Sequence, residues 1–383
     1  MSAPSPAIAI IGAGPLGLSA ALALNRRGHA VELFDARSKS ALTQENRTLA
    51  LSHASRELLE LLGAWPAAHA TPITRITISQ QGGPGRSHLS ASEQRLPALG
   101  YVLPARELAA ALLARVRKAG IAVHHDTRLA GSTASAGQIA LNLHHASGDP
   151  LEVQRALLLR CEGFVPEQDA TRCRDYDQHA LLCRATPAQP HANLAHERFT
   201  ARGPIALLPF GKDYAVVWTV PASEAEQLMA APDADWLAAL NNALGGLATL
   251  KAISEHAHHP LGLRMRREIT APRCVWLGNA AQTLHPVAGQ GFNLALRDVW
   301  ELADTLTGAA DPGAPELLRR YAARRRLDRE GAAGFTDLLV RGFSSNNPLL
   351  TGLRGAGLLA LEAVPPLRHF VAKRMIYGAR AWP

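Results

Sequence analysis

The sequence predicts an α/β protein: a Rossmann-like, doubly wound nucleotide domain with an antiparallel sheet inserted into it and a helical C-terminal region. Three observations predict it. Residues 7–37, AIAIIGAGPLGLSAALALNRRGHAVELFDAR, read as strand, tight turn, helix and strand. Residues 171–270 carry alternating segments such as Ala180–Cys183, Ile205–Leu208 and Tyr214–Val220, the pattern of an antiparallel sheet. Cys274–Leu277 then returns to a continuous apolar strand, which runs into a second glycine cluster at Gly289-Gln290-Gly291.

The first element is the most informative. Ala7–Ile11 is an unbroken apolar run, as expected of a parallel strand buried on both faces. Gly12, Gly14 and Gly17 follow with dinucleotide-fingerprint spacing, and Pro15 sits where a helix begins. The first glycine permits the turn, the second lets backbone approach a pyrophosphate, and the third allows close packing of helix on strand. The helix Leu16–Arg27 ends before Gly28, and Val31–Phe34 forms the next strand. Asp35 closes that strand 18 residues after Gly17, placed to accept hydrogen bonds from a ribose diol. This segment binds a nucleotide and does not distinguish NAD from FAD.

The second cluster answers a different need. A helical pattern runs from Phe292 through Leu296, Val299, Leu302 and Leu306. A helix starting at Gly291 offers free N–H groups and a positive dipole end to a group that becomes anionic, for instance a reduced flavin. The first cluster would hold the pyrophosphate and the second the ring, provided the nucleotide is FAD.

At these residues the chain resembles the aromatic-ring flavoprotein monooxygenases of the p-hydroxybenzoate hydroxylase type. That family carries an N-terminal GxGxxG and a late G-D-A-A-H-x-x-x-P-x-x-G-Q-G-x-N motif. Here the late motif stands as Gly278-Asn279-Ala280-Ala281-Gln282, then Pro286 and Gly289-Gln290-Gly291-Phe292-Asn293. The string GNAAQTLHPVAGQGFNLALRD, with NRTLALSHASRELLELLGAW (46–65) and HERFTARGPIALLPF (196–210), is most similar to the ubiquinone-biosynthesis branch, the 2-polyprenyl-6-methoxyphenol hydroxylases.

The resemblance implies FAD as cofactor, NADPH or NADH as reductant and O2 as co-substrate. It implies hydroxylation of a polyprenylated phenol through a flavin C4a-hydroperoxide, with a dry pocket rather than a catalytic triad. It would place Gly12, Gly14 and Gly17 on the pyrophosphate, Asp35 on the adenosine ribose, Arg47 along the ribose and pyrophosphate, and Arg106 near the flavin chain. Asn279 stands where relatives have an aspartate, and its amide oxygen can still accept from the ribityl chain. Pro286, Gly289, Gly291 and Asn293 would edge the ring, with His285 beside it as a candidate polar group. His53 is a further pocket candidate, whereas Tyr214 and Trp218 fit a sheet core better. One departure stands out: Glu162-Gly163 occupies the place of the family's D-G motif, which serves both FAD and the nicotinamide in relatives.

These features set the expected domains. Residues 1–170 form the first part of the FAD-binding domain, with a hairpin excursion at 71–100 around Gly82-Gly83-Pro84-Gly85. Residues 171–270 form the substrate sheet, 271–313 the second part of the FAD-binding domain and 314–383 a helical region. Strand-like pieces are expected at Ile121–His125, Ile139–Leu143 and Ala156–Leu159, and a helix at Arg106–Ala119.

Composition limits the partners. Of 383 residues 47% are hydrophobic and 19% charged, which suits a folded protein. Most of the positive charge behind the net +8 is arginine, dispersed except at Arg324-Arg325-Arg326 and without a long basic run interleaved with aromatics, so no nucleic-acid partner is expected. Cys161, Cys173, Cys183 and Cys274 lack metal-ligand spacing and read as scattered thiols. No leader pattern and no long apolar run appears, so the expected location is cytoplasmic. The stretch 349–375 mixes apolar residues with Arg354, Arg368, Lys373 and Arg374, which suits either an anionic membrane surface or a helical pair packed on the flavin domain. A small soluble aromatic substrate is the second reading. A flavin-bound structural subunit of a ubiquinone-biosynthesis complex is the third, kept open by Glu162.

Overall fold

The computed structural model describes residues 8–41, 44, 47–83, 85–286, 289–343 and 348–378. The expected strand start at Ala7, Asn46 of the NRTLALS stretch and Pro84 of the glycine-rich turn lie outside the described residues.

A six-stranded sheet runs in the order Thr270–Ala271, Cys274–Trp276, Leu157–Arg160, Ile8–Ile11, Val31–Phe34, Ala122–His124. Ile8–Ile11 is hydrogen-bonded in parallel to both neighbours, with Ile8 opposite Leu157 on one side and Val31 on the other. Its apolar run is needed because both faces are covered. Ile8 and Ile10 pack on helices α1 (Pro15–Asn25), α3 (Ala105–Lys118) and α6 (Gln290–Thr305). Ala9 and Ile11 pack instead on Ile139, Leu141 and Leu143. Each of these isoleucines, fully buried, contributes about 1.5–3 kcal/mol relative to exposure.

The second cover departs from a doubly wound fold. It is a three-stranded antiparallel meander, Thr127–Ala134, Ile139–His145 and Pro150–Arg155. Only the middle strand had a sequence signal. The outer two are largely exposed and polar, so no apolar alternation marks them.

The second large sheet has eight strands. Its five long ones are Ala170–Pro187, Leu194–Thr200, Gly203–Phe210, Asp213–Pro221 and Leu250–Arg266. The expected short segments are the buried middles of these strands. The 71–100 stretch also differs from expectation: Arg75–Gln80 and Arg86–Ser90 do form a hairpin, but they belong to this sheet. Arg75–Gln80 lies parallel to Leu194–Thr200, with Ile76 opposite Ala195, so the sheet is mixed rather than antiparallel. A local pattern reveals a hairpin but carries no trace of a strand partner more than a hundred residues away.

Helix α2 (His53–Leu61) packs on α6, capped by Ser52 Oγ, which accepts from Ser55 N. Two further helices missed from sequence, α4 (Ala222–Ala230) and α5 (Asp233–Leu244), cover one face of the eight-stranded sheet. Under them Trp218 meets Trp236 edge to face at 5.3 Å, and Tyr214 is buried with its hydroxyl on Leu194 O at 3.2 Å. Both aromatics are core. The C-terminal region consists of α7 (Pro315–Phe343), α8 (Pro348–Ala363) and α9 (Pro365–Tyr377). Pro365 and Pro366 stop α8 and start α9, because proline suits the first turn of a helix and no later one.

Candidate active site

The helices that the two glycine clusters open, α1 and α6, pack against each other. Gly12 (φ +100) stands at the tip of Ile8–Ile11. A Cβ on Gly17 would lie 1.8 Å from the Gly12 carbonyl oxygen, so helix and turn approach only because Gly17 lacks a side chain. Gly14 is the N-cap of α1 and leaves its first N–H groups without a side-chain partner. Gly278, from the late motif, lies between the two nucleotide helices. A Cβ there would stand 2.4 Å from Leu16 Cδ2 and 3.7 Å from Ala295 Cβ.

α6 opens on Gly289, a left-handed N-cap, and so starts one residue earlier than the sequence suggests. Gly289 N donates to Pro286 O at 2.9 Å, which turns the chain into the helix. Gly291 is exposed, and a Cβ added to it would meet nothing within 4 Å. Its lack of a side chain answers no packing need within the protein, and it leaves open space at an uncapped helix start. That is the opening a flat anionic ring requires.

Other expected residues act as supports. Asn293 is buried with all four amide hydrogen bonds made inside the protein. Oδ1 accepts from Ser52 N (2.8 Å) and Ser55 Oγ (2.7 Å), and Nδ2 donates to Ala50 O (3.0 Å) and Gly289 O (2.7 Å). It staples α6 to α2 and the strand Thr48–Ser52. Gln290 is buried and donates to Met375 O of α9 at 3.3 Å, and Phe292 packs into the main core. Asn279 is exposed at the motif turn. His285 is 1% exposed, edge-on to Tyr176 at 5.5 Å, and burial pushes its pKa down to about 4, so it is neutral near pH 7. It sits in the seam between the flavin loop and the large sheet. His53, buried at the start of α2, is likewise held below its ordinary value by burial, although Glu57 at 3.7 Å works the other way.

At the end of the second strand, Val31–Phe34, the carboxylate is already engaged. Asp35 is 2% exposed and accepts from Ala13 N (2.6 Å), Arg37 N (2.8 Å) and the Arg37 guanidinium (3.0 Å twice). Burial works to raise this carboxyl, but the hydrogen bonds from Arg37 and Ala13 outweigh it and hold it below its ordinary value. Arg37 Nη2 also lies 3.5 Å from where a Gly14 Cβ would be. Arg37 was missed from sequence, although an arginine two residues after the strand-closing acid was the available signal. Arg47 and Arg106 come together at the start of α3, where Ala105 N donates to Arg47 O at 2.8 Å. The Arg106 side chain lies 3.4 Å from Glu107 and faces solvent more than core.

Glu162, the departure from the family motif, lies against the dinucleotide turn: its Cβ is 3.2 Å from a Cβ built on Gly12. Burial raises its carboxyl pKa and the Asp35 charge adds to the rise, while Arg160, 3.8 Å away, offsets part of it.

A buried ionic network, absent from the sequence reading, anchors the short strand Gln282–Thr283 to α6 and α7. Gln282 Nε2 donates to Asp298 Oδ2 (2.8 Å) and Arg329 Nε to Gln282 Oε1 (2.6 Å). Arg325 Nε donates to Asp298 Oδ1 (2.5 Å), and Arg325 and Arg297 share Asp328 Oδ2 at 2.7 and 2.8 Å. All four cysteines are free thiols. Among the described residues no cluster of three or more His, Cys, Asp or Glu side chains could hold a metal, and no helix is long and apolar enough to cross a membrane.

A family model described as an FAD binding domain matches residues 6–335. The ubiquinone hydroxylase UbiL of Rhodospirillum rubrum is 31% identical over 98% of this chain and 90% of its own length. The 3-demethoxyubiquinol 3-hydroxylase of Escherichia coli is 29% identical over 96% of this chain and 97% of its own. Among solved structures, p-nitrophenol 4-monooxygenase PnpA from Pseudomonas putida superposes with a TM-score of 0.78 at 13% identity, covering 97% of this chain and 98% of that one. The probable FAD-dependent monooxygenase PqsL from Pseudomonas aeruginosa gives 0.75 at 20% identity, covering 92% and 99%. At these identities the two structures speak for the fold alone.

Proposed function

The chain belongs to the FAD-binding domain family and is an FAD-dependent monooxygenase, and from that premise we propose that it hydroxylates the ring of a polyprenylated phenol on the way to ubiquinone. Relatives named as ubiquinone hydroxylases match it over nearly their whole length, which supports this substrate class. The observation that carries the reading is the open, uncapped start of α6 at Gly289–Gly291, joined through Ala50 and Val102 to the inner face of the eight-stranded sheet. There Ala195, Leu208 and Phe210 pack on Ile73 and Val102, an apolar wall suited to an aromatic ring and to the exclusion of water.

Bound FAD, reduced by NADPH or NADH, would supply the oxygen atom from O2. The chain's own residues do the rest. Gly12, Gly14 and Gly17 leave room for the pyrophosphate, and Asp35 meets the ribose in exchange for part of its contact with Arg37. The α6 N–H groups favour negative charge on the ring edge. Pro286 and Gly289 shape that loop, and buried His285, neutral near pH 7, holds it against Tyr176 of the large sheet.

A prenylated substrate lives in lipid, and one edge of the molecule suits contact with it. The α8–α9 elbow exposes Leu359, Val364, Leu367 and Phe370. Residues 314–383 hold twelve Lys and Arg against five Asp and Glu, nearly all of the chain's +8 surplus. An apolar elbow in a basic region fits an anionic bilayer surface.

The test is anaerobic bleaching of the bound flavin by NADPH and NADH, with and without 2-prenyl-6-methoxyphenol, followed by product analysis on admitting air. Faster bleaching with the phenol and a hydroxylated product are expected. Flavin that is never reduced under any condition would sink the reading and turn attention to Glu162.

A further inference from the structure

The eight-stranded sheet carries, in Glu197, a carboxyl that the reaction so far leaves without a part. Glu197 lies in the middle of strand Leu194–Thr200, opposite Ala206 on one side and Ile78 on the other. Its strand neighbours turn to the helix-covered face. The His196 ring lies 6.1 Å from that of Tyr214, and Arg198 Nε donates to Ala243 O of α5 at 3.1 Å. Alternation along the strand therefore turns Glu197 to the inner face, on the side of Ala195. Ala195 packs against Val102, whose strand partner is Ala50, and Ala50 Cβ lies 3.2 Å from a Cβ built on Gly289. The inner face carrying Glu197 thus reaches the flavin loop through two strands.

Two properties separate this carboxyl from an ordinary strand glutamate. Among the described residues no hydrogen bond and no ion pair reaches it. It is partly accessible, yet burial alone pushes it up to about 8. Its place on the inner face, unpaired and partly accessible, leaves it open to a hydrogen-bonding group bound there.

We infer that Glu197 is the proton acceptor for the phenolic hydroxyl of the ring substrate, an assignment that rests on the hydroxylase reading above. The phenol O–H bond breaks, its proton passes to a carboxylate oxygen of Glu197, and the electron pair stays on the phenol oxygen. That pair raises electron density at the ring carbon that takes up oxygen from the reduced flavin and O2. The oxygenated ring then loses the proton of the attacked carbon to water, and Glu197 returns its own proton to the phenolic oxygen. A base that titrates close to the working pH does this best, being ionised often enough to accept and acidic enough to give back.

The experiment measures kcat/KM for hydroxylation of 2-prenyl-6-methoxyphenol by the holoenzyme from about pH 6 to 9.5, in wild type, Glu197→Gln and Glu197→Asp. Wild type should gain activity with rising pH through about 8. Glu197→Gln should lose that limb and about 10²–10⁴-fold in kcat/KM, and Glu197→Asp should keep a limb and part of the activity. Flavin content and the rate of reduction without phenol should not change. Glu197→Gln with the activity and pH profile of a working wild type would overturn the inference alone. Loss of flavin from both variants would overturn it too, making the carboxyl a structural group. A wild type that yields no hydroxylated phenol would remove the hydroxylase reading itself.

Discussion

Replacing Asp298 by Asn tests the buried network that anchors the short strand Gln282–Thr283 to α6 and α7. Asp298 and Arg325 are 1% and 3% exposed as side chains, and Asp298 serves two donors, Arg325 Nε and Gln282 Nε2. Asparagine keeps the shape but offers one acceptor atom and one donor, so whichever way it turns it faces one of these N–H groups with its own. It also leaves the guanidiniums of Arg297 and Arg325 sharing the carboxylate of Asp328. Burial already works against the Arg325 charge, and Asp298 is the largest influence that offsets it. Breaking a buried pair in this way costs about 3–5 kcal/mol. With an unfolding entropy of about 2.1 cal/mol/K per residue, the 383 residues give about 0.8 kcal/mol/K and a fall in Tm of about 4–6 °C. Thermal unfolding followed by circular dichroism and by flavin release measures it, and FAD affinity should weaken as Gln282 loses its hold. The double change Asp298→Leu with Arg325→Met should recover most of the loss, since a buried pair replaced by apolar groups costs little. A single variant that melts within about 1 °C of wild type with unaltered FAD affinity would refute the reasoning.

Glycine substitutions separate packing from cofactor contact. Gly17→Ala, whose methyl would stand 1.8 Å from the Gly12 oxygen, should purify without flavin. Gly291→Ala meets no protein atom within 4 Å, so the apoprotein should melt like wild type while FAD binding weakens at least tenfold, about 1.4 kcal/mol; equal affinity by titration would mean that the ring lies elsewhere. His285 makes stability depend on pH. Its folded pKa of about 4 lies below the ordinary 6.5, so the neutral histidine's contribution is whole above 6.5 and is lost as pH falls from there through about 4. Urea unfolding across that range should show His285→Asn losing less stability than wild type, by up to about 3 kcal/mol, and parallel curves would contradict it. At the α8–α9 elbow, Leu367→Glu with Phe370→Glu should abolish flotation with anionic vesicles and leave turnover of a short-tailed phenol intact. Equal flotation of variant and wild type would exclude this elbow as the lipid contact.

The sequence by itself determined what local chemistry can write. The run Ile8–Ile11, the glycines at 12, 14 and 17 and the acid at 35 specify a strand, a turn without room for side chains and a helix start, because each requirement acts within a few residues. The string from Gly278 to Asn293 announced the second helix start in the same way. Which residues face a cofactor and which merely hold the loop was not legible. Asn293 and Gln290 belong to the same motif as Gly291, yet their side chains are used up on Ser52, Ala50 and Met375, partners that folding brings from far along the chain. The hairpin at 71–100 showed its turn but not its sheet, since strand pairing over more than a hundred residues leaves no local periodicity. The network of Gln282, Asp298, Arg325 and Arg329 left no local signal either, because its members lie on a strand and two helices that only packing brings together. Tertiary structure alone decided those environments. The cost of burying a charge, and hence the pKa of Glu197 or His285, depends on what surrounds the group in space and not on its neighbours in the chain.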